Sequence, residues 1–247
     1  MGFLLVVAAV AWYLGFRART PGLTTTAPAP APRSETRPLG GDAEAITIPP
    51  LDQSDGVVAD LVRKLSSHPQ VAAWLTTNGL IRNFTVVVAN IAEGKSPARQ
   101  LPPLRPRTPF RAVERDGRFY VDPRNDERYS PLAEAVASID AKSGAALYAT
   151  LKPRIEEAHR ELGSPDPSFD GTLERAIVVL LETPVRGGQP RLRLKGIGYA
   201  FADEGEEDLM PAQKQLLRMG AANARAVQAK LREIALALGI PSSRLPQ

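Results

Sequence analysis

The chain contains no cysteine. That absence removes disulfides, thiolate metal sites and cysteine nucleophiles together. Histidine is almost as scarce. His68 and His159 are the only two in 247 residues, so imidazole acid–base or metal chemistry is confined to those positions. There is no Gly-x-Ser-x-Gly nucleophile elbow, no Walker loop and no dinucleotide-binding glycine fingerprint. Fixed-period repeats are also missing. Lysine and arginine exceed aspartate and glutamate by only 31 to 27, a net +4, which is too small to mark a nucleic-acid binder. The composition is that of a globular protein, 43 % hydrophobic and 23 % charged, with one surplus. Its 23 prolines are about twice the usual ~5 %.

The prolines are concentrated in two places, seven between residues 21 and 50 and five between 97 and 109. They mark connectors rather than a proline-rich fold. Before the first connector, residues 1–16 carry no charge, and Arg17 and Arg19 close the run. As a helix it would span roughly 24 Å, short of a ~30 Å hydrocarbon core. Arg17 can snorkel outward, and Trp12 and Tyr13 suit an interface, so residues 1–16 are read as a transmembrane anchor. A cleaved signal peptide is the rival. The Ala-x-Ala sites available to it in the linker, Ala27-Pro28-Ala29 and Ala29-Pro30-Ala31, contain proline and lie far from the apolar run. Residues 17–50 are read as a disordered Pro/Ala/Thr-rich linker, extended where Ala and Pro alternate.

Residues 51–247 form the body, which reads as mainly α with one small β-hairpin. Helices are expected where Val57, Val58, Leu61, Val62 and Leu65 share a face, and again after Pro69. Ile81, Phe84, Val88 and Ile91 form a further stripe, in preference to a buried strand at Thr85–Val88. Arg115-Asp116-Gly117 between two apolar runs signals the hairpin. Ser130 is expected to cap a helix, and Pro153 to kink or divide the next one. Asp170 opens another. Arg191-Leu192-Arg193-Leu194-Lys195 alternates like an edge strand, and the last helix ends at Gly239.

Few residues invite chemistry. Glu156 and His159, three apart on a helix, form half of a di-iron carboxylate pattern, but no second pair exists. A polar helix face is the better reading, and His68 before Pro69 reads as a cap. Gly196-Ile197-Gly198 reads as a turn rather than a phosphate loop. Asp203, Glu204, Glu206, Glu207 and Asp208 fill five of six positions without EF-hand spacing. Lys214, Arg218, Arg225, Lys230 and Arg232 make the terminal helices basic. A solvated face or pairing with the acidic run is favoured over an anionic partner. A third basic stretch, Arg99 to Arg128, is interleaved with Phe110, Phe119, Tyr120 and Tyr129. That pattern suits single-stranded nucleic acid, but five acids dilute it.

Phe201-Ala202-Asp203, Leu209 to Gly220, Leu51 to Asp55, Ala146-Leu147-Tyr148 and Glu161 to Asp166 together resemble a bacterial membrane-anchored family catalogued only as a domain of unknown function, DUF3014. The resemblance implies an envelope protein of Gram-negative bacteria whose body lies beyond the inner membrane. By the positive-inside rule, Arg17 and Arg19 favour the opposite orientation. No catalytic residue, cofactor or metal ligand is assigned, and no nucleic acid is expected. The reading is an inner-membrane, single-pass, non-enzymatic binding or scaffolding module for an envelope protein or anionic polymer. Its alternative is an envelope hydrolase using carboxylates on cell-wall glycan.

Overall fold

The computed structural model describes residues 38–164 and 166–247. The anchor expected over 1–16, and the linker up to residue 37, lie outside the described residues. Among the described residues no helix is long and apolar enough to cross a membrane.

Nine α-helices are present among the described residues. They are α1 (Asp55–Leu65), α2 (Pro69–Trp74), α3 (Leu80–Ala92), α4 (Ser130–Ala137), α5 (Ala141–Glu161), α6 (Phe169–Leu181), α7 (Glu204–Glu207), α8 (Pro211–Leu217) and α9 (Ala221–Ala237). Helices α1, α3, α5, α6 and α9 enclose the larger apolar cluster, built on Val58, Leu80, Ile155, Phe169 and Ile177. A smaller one joins Tyr129, Leu216, Met219 and Val227. Thr85 to Val88 is helical, as the apolar spacing required, and Thr85 satisfies its buried hydroxyl by donating to the Ile81 carbonyl at 2.8 Å. Asp55, in the first turn of α1, accepts from the amides of Gly79 (2.7 Å) and Leu80 (2.8 Å). One carboxylate thus caps a second helix across 24 residues. Helix α9 closes with the Gly239 amide on Leu236 and the Ile240 amide on Ala235, both 3.0 Å, a Schellman motif with Ile240 buried beneath it.

Some expectations are corrected. Of the two outcomes expected at Pro153, division does not occur, since α5 is one continuous helix. Ser130 is the first residue of α4, not its cap, and its hydroxyl donates to the Asp126 carbonyl at 3.2 Å. Residues 38–50, assigned to the linker by composition, are ordered against the helices. Leu39 and Ile48 are buried. Gly40 donates to Leu238 (3.0 Å) and Gly41 to Ala145 (3.1 Å), while Arg154 grips the Ile48 carbonyl at 3.1 and 3.2 Å. An extended, proline-bearing strand of chain can settle this way because its amides find carbonyls on the body rather than on itself.

The β structure is also larger than one hairpin. Strands β1 (Ala112–Arg115), β2 (Arg118–Val121), β3 (Arg191–Lys195) and β4 (Gly198–Phe201) form one antiparallel sheet in the order β1-β2-β3-β4. Asp116 and Gly117, at φ 51° and 69°, make the first turn as expected. Gly196, at φ 57°, supplies the positive angle that a second two-residue turn needs at its first position. Strand β3 is therefore interior, paired on both sides, and not an edge.

Inside the helical cluster lies an apolar recess of about 370 Å³.

Candidate functional site

The sheet has two chemically distinct faces. Residues directly opposite in an antiparallel ladder share a face. Leu192 pairs with Phe119 on one side and Phe201 on the other, and Leu194 with Tyr199. Arg115 pairs with Arg118, and the β2–β3 register, Phe119 with Leu192, sets Arg118 opposite Arg193. Three arginines thus stand in one row across β1, β2 and β3, all exposed. Arg191 shares their face through its pairing with Tyr120. Among the described residues, no carboxylate lies within 4.0 Å of Arg115, Arg118, Arg191 or Arg193. Like charges placed directly opposite weaken a sheet by some tenths of a kcal/mol per pair. Arg115 donates to the Gln189 amide oxygen at 3.0 Å, whereas Arg118 and Arg193 stand in the row without an acidic partner among the described residues.

The apolar face walls a cleft of about 510 Å³ against α8, the start of α9 and the chain before β3. Phe119 and Tyr199 lie 5.6 Å apart between ring centroids, and Phe110 and Tyr199 6.0 Å. Ile197 at the turn tip is fully exposed. Arg128, Arg186 and Arg218 also line the cleft, with the carboxyls of Asp126 and Glu206. Asp126 fills the space beside Gly220. A Cβ there would fall 2.2 Å from the Asp126 carboxyl carbon, and Gly220 itself sits at φ 85°. Burial pushes both Asp126 and Glu206 above the ordinary carboxyl range, and Asp203 adds to the rise at Glu206.

The sign for stability follows from linkage. A carboxyl whose folded pKa is raised holds its proton more tightly when folded. Stability is complete below the ordinary value near ~4 and falls as pH rises through the folded value. Asp126→Asn is therefore expected to raise the melting temperature at pH 7 and leave it unchanged near pH 3. Calorimetry at the two pH values checks this; an equal change at both would contradict the burial argument.

The residues singled out by sequence have mostly structural work. Both Glu156 oxygens accept from the Phe169 amide, at 3.0 and 3.1 Å, which caps α6 from the neighbouring helix. His159 is buried against the edge of Phe169, with centroids 5.5 Å apart. The pair does not converge. Neither His159 ring nitrogen has a hydrogen-bond partner among the described residues. Whichever tautomer the ring holds, one N–H is buried unsatisfied, at a cost of about 1–3 kcal/mol. His159→Leu is expected to raise stability by about 1 kcal/mol, read as a melting temperature some 2–4 °C higher. His68 caps α2 as expected, Nδ1 accepting from the Gln70 amide at 3.2 Å.

In the acidic run, Asp203 caps α7 and stands 3.4 Å from Arg186. Glu207 pairs with Lys195 at 3.0 Å and, more loosely, with Lys214 at 3.9 Å. These cations and the Phe201 amide hold its carboxyl below the usual range, Lys195 most of all. Lys230 pairs with Glu233, and Arg225 donates to the Val185 carbonyl at 3.3 Å. Among the described residues no group of three or more acids and histidines could hold a metal ion. Within the 99–128 stretch, Arg115 and Arg118 join the exposed row, whereas Arg124 is tied to Asp122 and Arg128 to Thr108. Sequence reasoning missed Arg193 and Asp126. Alternation along β3 hinted at the first, but nothing local placed it beside Arg118.

A family model described as Protein of unknown function (DUF3014) matches residues 80–235, well over half of the chain. No curated protein matches, and no solved structure matches. The sheet, the cleft and the segment from Phe201 to Gly220 all lie within the matched residues. The chain belongs to the DUF3014 family.

Proposed function

We propose that this DUF3014 member is a non-enzymatic binding module of the bacterial cell envelope, held at the inner membrane by residues 1–16 with its body beyond it. Its partner is an anionic polymer, bound on the arginine face of the sheet. The row Arg115, Arg118 and Arg193 carries this reading. Three exposed guanidiniums without a carboxylate partner create a local positive field, and they offer bidentate donors to phosphate or carboxylate. Spaced along one line across the strands, they suit a repeating charge better than a single small anion. A tether of up to a few tens of ångströms would let the face reach a polymer near the membrane.

The test uses the full chain in lipid nanodiscs and polyphosphate as the polyanion. Arg118→Glu combined with Arg193→Glu is expected to weaken binding at least roughly tenfold, and binding by the parent chain should fall as salt rises. Equal binding by parent and variant would overturn the arginine face as the site.

One observation favours the hydrolase instead, the presence of two carboxyls with raised proton affinity in a single cleft. Glycan cleavage uses a carboxyl of raised proton affinity as its acid, with a second, ionised carboxylate as base or nucleophile. Cell-wall glycan turnover that Asp126→Asn and Glu206→Gln each abolish would decide for the enzyme, and a parent chain without turnover decides against it.

A further inference from the structure

We infer that the recess between α1, α3, α5, α6 and α9 is a binding site for the single acyl chain of a fatty acid. Its walls are hydrocarbon almost throughout. Of the residues lining it only Trp74 and Tyr148 carry a polar side-chain atom, and the Tyr148 hydroxyl is turned to Asp170, 2.6 Å away. No polar ligand would find partners there, and water needs two to four. Left unfilled, an open recess of this kind keeps hydrocarbon walls against water. The chemistry that fits is a flexible hydrocarbon.

Volume and shape narrow the choice. A cavity of ~150 Å³ holds one benzene, so 370 Å³ accommodates roughly fifteen carbon atoms. That is one acyl chain, too little for a two-chain lipid. A partner helix would need a long surface groove with anchors at successive turns, whereas Leu80, Ile81 and Ile177 at the floor are fully buried. The recess is open to solvent, and half-buried Leu147, Leu173 and Leu231 are among its walls.

Gly144 supplies the test. It lines the recess on α5, and an added Cβ would meet nothing nearer than Ile139 Cγ2 at 3.4 Å. Gly144→Leu should therefore fold and fill about four of the roughly fifteen carbon positions, weakening acyl binding roughly a hundredfold. The full chain in lipid nanodiscs is labelled with diazirine-bearing dodecanoic acid, with and without excess dodecanoate, and crosslinks are mapped by mass spectrometry. Competed labelling is expected on the peptides containing Ile81 and Ile177, and its loss is expected in Gly144→Leu. Ala176→Leu, filling the same space from α6, should behave alike and serves if the first variant does not fold. The inference fails if no competed label reaches those peptides, if the folded variants label like the parent, or if the recess proves filled by a second copy of the chain, seen as a dimer that either variant dissociates.

Discussion

Phe169→Ala is expected to destabilise the body by about 4 kcal/mol, lowering the melting temperature by roughly 10–15 °C. Phe169 has no exposed surface at all. Its ring meets Phe84 at 5.8 Å, Tyr148 at 6.3 Å and His159 at 5.5 Å, so one side chain joins α3, α5 and α6. Truncating a buried phenylalanine costs about 3–5 kcal/mol through lost transfer energy and the cavity left behind, and each aromatic pair adds a fraction to ~1 kcal/mol. Collapse cannot recover much, because the neighbours are held by their own bonds: Tyr148 to Asp170 and the Phe169 amide to Glu156. Phe169→Leu keeps most of the volume and should cost less than half as much. Thermal unfolding of the three proteins decides. A fall under 3 °C for alanine would mean that the aromatic cluster is not the hub of the larger core.

Helical elements were legible because their stripes recur at 3.6 residues over three or more turns, as at Val58, Leu61 and Leu65. The first hairpin was legible because Asp116-Gly117 encodes its turn locally. The sheet was not. Its β2–β3 pairing joins Phe119 to Leu192 across three intervening helices, and β4 is four residues with a glycine at its start, below the length at which alternation means anything. The arginine row depends on that same long-range register, so its three members could be seen only as separate cations. The segment carrying the family resemblance is explained largely by packing. Ala212 and Leu216 are buried, Gln213 bonds the Val179 carbonyl at 3.1 Å and accepts from the Met210 amide, and Gly220 leaves room for Asp126. A motif can identify a family while most of its residues hold the fold.

Removing the carboxylate of Asp170 should cost about 3 kcal/mol and loosen the chain where it joins the body. Asp170 accepts from Tyr148 (2.6 Å), from the Leu39 amide (3.1 Å) and from Lys152, whose side chain is only 21 % exposed. In Asp170→Ala three donors lose their acceptor at once. Orphaning a largely buried lysine accounts for most of the cost, since breaking such a pair by removing one partner costs ~3–5 kcal/mol, more than the pair contributes. The local consequence falls on the 38–50 strap, because Leu39, Gly40 and Gly41 donate in succession to Asp170, Leu238 and Ala145. Hydrogen exchange at these three amides should accelerate by more than the global loss of stability accounts for, while the Ile240 amide in the α9 Schellman motif follows the global value. The double variant Asp170→Ala with Lys152→Met separates the two effects. It should regain part of the stability, because no charge is left unpaired, yet keep the fast exchange at Leu39, whose acceptor is still missing. Recovery of both would assign the strap's anchoring to the lysine rather than to the carboxylate; recovery of neither would show that burial around Asp170, not its charge, holds the segment.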